Sequence, residues 1–152
     1  MQGPDTIWEI SAGISSGFLN KSYIGGAIMP ARTPADADHQ IIAAVNAGDI
    51  DAALALYETG ATFVAEPGKS VTGTAAIREV IMGFIAMKPT MTIEVPIVVE
   101  SGDTALLHSR WTLKGTGPDG SPVEMDMQGT EVVRRQADGT WKFIIDNPFS
   151  AG

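Results

Sequence analysis

The chain has no cysteine, which excludes disulfides, thiolate nucleophiles and cysteine-based zinc or iron–sulfur sites. It has only two histidines, His39 and His108, far apart and without an acidic partner at ligand spacing, so no metal site is expected. Basic residues are scarce: 10 against 18 acidic ones, a net charge of −8. Binding phosphates needs a basic face, so a nucleic-acid partner is not expected. No apolar run approaches the ~18–20 residues that a membrane helix requires. The opening MQGPDTIWEI puts Asp5 and Glu9 where a secretory leader carries Lys or Arg, so no membrane partner and a cytoplasmic location are expected. The glycine-rich run Gly115–Gly120 joins two strand-like segments with no helix behind it. It is a hairpin loop and not a phosphate cradle, and no cofactor is expected.

What remains is a chain of 152 residues, 44% hydrophobic and 18% charged, enough for one globular domain with one core. Residues 1–28 are rich in Gly and Ser and show no sustained period. Met29-Pro30-Ala31-Arg32 looks like a bacterial protein start. The first 28 residues are therefore read as an extension that is disordered or not native. The alternative is an arm in which Trp8, Ile10, Phe18, Leu19 and Tyr23 pack on a neighbour. Residues 29–152 form the expected single domain.

Helical signals begin at Thr33, a suitable N-cap, with Pro34 at the first helical position and Asp36 and Asp38 in the first turn opposing the helix dipole. Ile41, Ile42 and Val45 give an apolar stripe, and Gly48 ends the helix. Asp49 caps a second helix in which Ile50, Ala53, Leu54 and Tyr57 recur at helical spacing, closed by Gly60. Tyr57 is then a core residue whose hydroxyl is satisfied locally or donates to a ligand. A first strand covers Ala61–Glu66 and stops at Pro67-Gly68. A third helix covers Thr74–Met87. Four more strands, Met91–Glu100, Thr104–Lys114, Pro122–Arg135 and Thr140–Asp146, follow with short turn-forming links and so form an antiparallel meander. Pro96 marks a bulge or an edge position.

Strand alternation sorts the faces. Trp111, Met125, Met127, Trp141 and Phe143 fall on apolar faces that meet the helices and line any pocket, which would suit a flat, greasy ligand. Asp146 falls opposite Trp141 and Phe143. His108, Arg110 and Asp126, with Thr130 or Glu131, fall on the polar faces, where a cross-strand network suits a homodimer contact or solvent. A one-residue bulge would turn His108 and Arg110 inward. Ser109 lies on the face opposite His108, so the two cannot form a dyad. Two carboxylates are candidates for acid/base work. Glu66, at the end of a strand beside Pro67, would have its pKa raised at the rim of an apolar cavity. Asp146, in Asp146-Asn147-Pro148, either reaches the pocket mouth or forms a strand-ending Asx turn.

The stretch NAGDIDAALALYETGATFVAEPGKSVTGTAAIREV from Asn46, with GTAAIRE at Gly73–Glu79, resembles the nuclear-transport-factor-2-like superfamily, which includes ketosteroid isomerases and SnoaL-like proteins; the likeness spans roughly residues 34–147. It implies an α+β fold, three N-terminal helices on a strongly curved antiparallel sheet forming an open cone with an internal pocket, and commonly a homodimer through the outer sheet face. Glu66 stands where ketosteroid isomerases place their general base. The ending DGTWKFI with Asp146 is similar to SnoaL-like and association-domain-like proteins, and SnoaL-like cyclases use an aspartate as base. Ile41 stands where the isomerases place a donor Tyr, and Thr130 or Glu131 where they place a protonated Asp, so steroid isomerisation itself is not implied. The expected function is binding of a small apolar organic molecule, with acid/base chemistry of isomerase, cyclase or dehydratase type. The alternative is a non-catalytic association or ligand-sequestering homodimer. Fold does not decide between them.

Overall fold

The computed structural model describes residues 23–24, 27–28 and 30–150. The expected arm residues Trp8, Ile10, Phe18 and Leu19, and the packing of Tyr23, lie outside what is described. Elements run in the order β1 (Tyr23–Ile24), β2 (Ala27–Ile28), α1 (Pro34–Ala47), α2 (Ile50–Leu54), β3 (Tyr57–Glu66), β4 (Lys69–Thr72), α3 (Thr74–Ala86), β5 (Thr90–Ser101), β6 (Thr104–Thr116), β7 (Pro122–Arg135) and β8 (Trp141–Asn147). β1 and β2 form a two-stranded pair. The other six strands make one sheet in the order β4-β3-β8-β7-β6-β5, antiparallel except where β3 joins β8. This is the expected α+β architecture. No helix among the described residues is long and apolar enough to cross a membrane.

The ends of α1 follow from its sequence. Asp36 Oδ2 accepts from the backbone N–H groups of Arg32 and Thr33, each at 2.9 Å, which satisfies donors that precede the helix. Gly48 closes the helix in the left-handed conformation, φ 70°, donating to Ala44 and Val45. The second helix is shorter than its periodicity suggests. It stops at Leu54, and Tyr57 opens β3 instead of ending α2. The reason is tertiary: the Tyr57 ring stacks on Phe143 of β8 at 4.9 Å, and Phe143 N–H donates to Leu56 O at 2.8 Å. Parallel pairing with β8 therefore overrides a weak helical period.

Two bulges set the faces. Along β5, Glu94 faces Arg110 and Ile97 faces His108, so Val95-Pro96 together oppose Ser109. The proline thus sits at a bulge and on the sheet's edge strand, where its missing N–H is tolerated. Along β8, Ile145 faces Val132 while Phe143 faces Val133, leaving Ile144 as an extra residue. This bulge moves Asp146 onto the inner face and Ile145 outward, reversing the expected placement of both. The core is continuous on the inner face, where Ile77, Ile81, Leu107, Leu113, Val133 and Phe143 are fully buried. Each such side chain contributes on the order of 1.5–3 kcal/mol.

Candidate functional site: a carboxyl cluster in an apolar cavity

Between the helices and the sheet lies a cavity of about 50 Å³ with an open mouth, room for roughly three to five waters. Its walls are mostly apolar. From α1 come Ile41, Ile42 and Val45, from α3 Ile81 and Phe84, and from the strands Phe63, Met91, Ile93 and Trp111. Trp111 is fixed on two sides. Its indole N–H donates to Pro148 O at 2.9 Å, and Phe84 and Phe149 meet its ring edge-on at 6.3 and 6.0 Å.

Into this cavity project Asp38 from α1, Tyr57 from β3, Ser109 from β6, Glu131 from β7 and Asp146 from β8. Asp38 and Glu131 are only 2% and 3% exposed. The Tyr57 phenol donates to Asp146 Oδ2 at 2.5 Å, and the Ser109 hydroxyl donates to Glu131 Oε1 at 2.9 Å. Oδ2 of Asp38 and Oε2 of Glu131 meet no N–H or O–H donor. The hydrogen bond open to them is with each other, through a proton that one of the carboxyls carries.

Burial without a cation makes all three carboxyls reluctant to ionise. Desolvation is the largest cause in each case. It lifts Asp146 to about 6, against the lowering effect of the Tyr57 hydrogen bond. It lifts Asp38 to about 8, with the Asp146 charge adding to the rise. It lifts Glu131 to about 11, with Asp38 and Asp146 adding. The same burial and the Asp146 charge push the Tyr57 phenol well above its ordinary value. At neutral pH Asp146 is the carboxylate of the set, while Asp38 and Glu131 hold protons. The cluster can therefore accept a proton at one point and deliver one at another.

Of the residues singled out from sequence, Tyr57, Trp111, Glu131 and Asp146 line the cavity together. Strand sorting places Thr130 or Glu131 on the polar outer face, while the resemblance places one of them where the isomerases hold a protonated Asp. Alternation from Met125 and Met127 puts Glu131 inside, buried. Met125 and Met127 are half-buried against the core, and Trp141 and Phe143 are buried within it, so these four pack the domain away from the cavity wall. Trp141 is capped from outside by the Arg135 guanidinium, 5.8 Å from its ring. Glu66 does not stand at the cavity rim. The β3–β4 turn carries it into solvent, where its side chain is 64% exposed and pairs with Lys69 at 3.1 Å. His108, Arg110 and Asp126 lie on the outer face, because β6 and β7 pair in unbroken register and no bulge turns them inward. His108 Nε2 lies 3.2 Å from Gln128 Oε1.

Two site residues escaped the sequence reading. Asp38 opposes the helix dipole, yet it also stands three, four and seven positions before Ile41, Ile42 and Val45, on the apolar stripe itself. Ser109 was set aside as facing away from His108, but that same alternation aligns it with Trp111 toward the cavity. Among the described residues, no three carboxylate or imidazole side chains are grouped as a metal site would need.

Residues 39–144 match the family model for the SnoaL-like domain. A candidate calcium/calmodulin-dependent protein kinase type II association domain from Thiobacillus denitrificans superposes with a TM-score of 0.66 at 18% identity, covering 82% of this chain and 99% of that one. A candidate dehydratase of the nuclear-transport-factor-2-like family from Streptomyces avermitilis gives 0.64 at 20% identity, covering 76% and 93%. A ketosteroid isomerase-like protein from Erwinia carotovora atroseptica gives 0.63 at 24% identity, covering 72% and 87%. At these identities the likeness is one of fold. A search of the curated proteins finds no match.

Proposed function

The chain belongs to the SnoaL-like domain family, and from that premise we propose that its cavity binds a small, mainly apolar organic molecule and performs cofactor-independent acid/base chemistry on it. The observation that carries this reading is the convergence of three buried carboxyls and a phenol in a cavity otherwise walled by aliphatic and aromatic groups. Structural cores do not gather unpaired carboxyls at a cost of several kcal/mol each without a use for them.

Asp146 is the base. Its carboxylate takes a proton from a carbon next to a carbonyl, and the electron pair moves to the carbonyl oxygen. That oxygen takes the proton held between Asp38 and Glu131, and returning a proton to a different carbon completes an isomerisation. In a dehydration the enol instead expels a β-hydroxyl, which takes a proton and leaves as water. In a cyclisation the enol carbon attacks a second carbonyl of the ligand, whose oxygen takes the proton. The test is a thermal-shift screen against small terpenoids, polyketide-like aromatics, steroids and fatty acids, followed by turnover assays on each hit. A ligand at ~100 times its Kd adds about 2.7 kcal/mol of stability. Asp146→Asn should abolish turnover while still binding the hit, whereas Glu66→Gln should turn over like the parent. Turnover that survives in Asp146→Asn removes Asp146 from the mechanism.

A second reading is favoured by a different observation. On the outer face, Val99, Leu106, Val132 and Ile145 sit opposite one another across β5, β6, β7 and β8. Three of them are 42–56% exposed despite being aliphatic. Such a row suits a homodimer contact, with His108 and Arg110 one and two rows further along the same face. Dimerisation is compatible with a working cavity. A dimer with no ligand response would leave association as the function.

A further inference from the structure

We propose that the ligand of this cavity carries a protonated amine, seated against Asp38 and Glu131 with its apolar part among the aromatic walls. The inference deepens the small-molecule reading above and rests on it. Among the described residues, three side-chain donors other than the carboxyls line the cavity, and all are engaged: Tyr57 O–H with Asp146, Ser109 O–H with Glu131, and Trp111 N–H with Pro148 O. The groups left over are Oδ2 of Asp38 and Oε2 of Glu131, both buried and joined only through a proton that the two carboxyls hold between them. A ligand that replaces that shared proton must bring donors of its own. An ammonium brings two or three on one atom, together with the positive charge that the cluster lacks.

Among the described residues, no Lys, Arg or His side chain lines the cavity. The titratable groups that face one another there are Asp38 from α1, Tyr57 from β3, Glu131 from β7 and Asp146 from β8; α3, β5 and β6 contribute none. The rings of Tyr57, Phe63, Phe84 and Trp111 add faces that attract a cation once water is excluded. Among the described residues these carboxyls are not grouped as a metal site would need. An ammonium seated there takes the place of the proton that Asp38 and Glu131 share. The bound ammonium then serves as the donor to a developing oxyanion, and Asp146 keeps its part as base.

Cyclopentylamine, cyclopentanol and cyclopentanone share one ring and differ in the group they present, so their binding is measured by calorimetry at pH 6 and pH 9. The amine stays protonated to about pH 10. Cyclopentylamine should bind at least tenfold more tightly than either neutral analogue. Its affinity should rise at least tenfold from pH 6 to pH 9, with proton release to the buffer. Asp38→Asn should lose at least tenfold for the amine and nothing for the alcohol, which separates the cavity from general attraction to an acidic surface. Tighter binding of the alcohol or ketone overturns the amine and leaves the cavity reading standing. The same follows from an amine affinity that is flat with pH or indifferent to Asp38→Asn. Failure of all three compounds to bind overturns both.

Discussion

The Tyr57 phenol and the Asp146 carboxylate, 89 positions apart in sequence, meet at 2.5 Å across the parallel junction of β3 and β8. Neither strand end would bring its side chain there alone. Tyr57 is held by ring stacking on Phe143, and Asp146 is turned inward by the extra residue Ile144. The bond favours the ionised form of Asp146 against the desolvation that raises its pKa. Tyr57→Phe should therefore push the Asp146 midpoint further up. It should also cost about 1.5–3 kcal/mol at a pH where Asp146 is charged, the range for hydrogen bonds to charged groups. Carbon-13 NMR titration of the carboxyl reads the first effect and urea unfolding the second. An unmoved Asp146 midpoint would refute the pairing.

The carboxyl cluster gives the fold a distinctive pH dependence. Each of the three has a folded-state pKa above its unfolded value, so between those values the folded protein binds more protons than the unfolded chain. Stability from this source is fully present below about pH 4 and declines as pH rises. The decline runs through about 6 for Asp146, about 8 for Asp38 and about 11 for Glu131. The Glu58–Arg134 pair works the other way. Its bidentate bonds at 2.8 and 2.9 Å hold Glu58 at about 2, so its contribution is present above the usual glutamate range and lost in strong acid. That pair is exposed enough for solvent screening to keep it small. The melting temperature should thus fall steadily from pH 5 to pH 9, and Asp38→Asn should flatten the slope and raise stability at pH 9. A Tm that climbs over that range would contradict the buried-acid arrangement.

Much of this was legible in the chain, and what was not has physical causes. Thr33, Pro34 and Gly48 bound α1 because capping is a local matter of backbone donors and a left-handed residue. Pro96 announced its bulge because a missing N–H has few places to go. The β8 bulge carried no such mark, since Phe143-Ile144-Ile145 is uniformly apolar and its register is set by β7. One inserted residue was enough to reverse Asp146 and Ile145. Tyr57 falls outside the helix because a helical period as short as Ile50 to Tyr57 cannot outweigh pairing with a strand almost ninety positions later. Glu66 drew attention through local similarity at Pro67, yet solvent and Lys69 satisfy it fully. Asp38 and Glu131 were discoverable, because helical and strand periodicity put each on its element's apolar face. A carboxylate in an apolar stripe is the pattern that marks such a site.

The outer aliphatic row predicts a specific assembly defect. Leu106 occupies the middle of the row, opposite Val99 on one side and Val132 on the other, and is 42% exposed. In a homodimer through this face, Leu106→Asp would bury an unpaired charge, so sedimentation velocity should show a monomer. Its melting temperature should change little if the row is free in the monomer. A dimer that persists in Leu106→Asp places any contact elsewhere.

Gly129 has a role that its backbone conformation does not explain. A Cβ there would stand 2.2 Å from Glu131 Oε1 and 2.6 Å from Ser109 Oγ, with Asn147 O at 3.3 Å. The glycine makes the space in which the Glu131 carboxyl lies against the Ser109 hydroxyl, two residues along the same face of β7. Gly129→Ala must push that carboxyl out of its bond with Ser109, which should cost about 1–3 kcal/mol as overpacking of a tight interior does. Glu131→Ala removes the atom nearest to the new methyl. In that background Gly129→Ala should cost far less, so a double-mutant cycle by urea unfolding should show a coupling of about 1 kcal/mol or more. Glu131 displaced in this way also parts from Asp38, so Gly129→Ala should move the Asp38 midpoint further than Ser109→Ala, which removes one bond to Glu131 and leaves the space intact. Additive costs in the cycle, together with an unmoved Asp38 midpoint, would mean that Gly129 does not hold Glu131 in place.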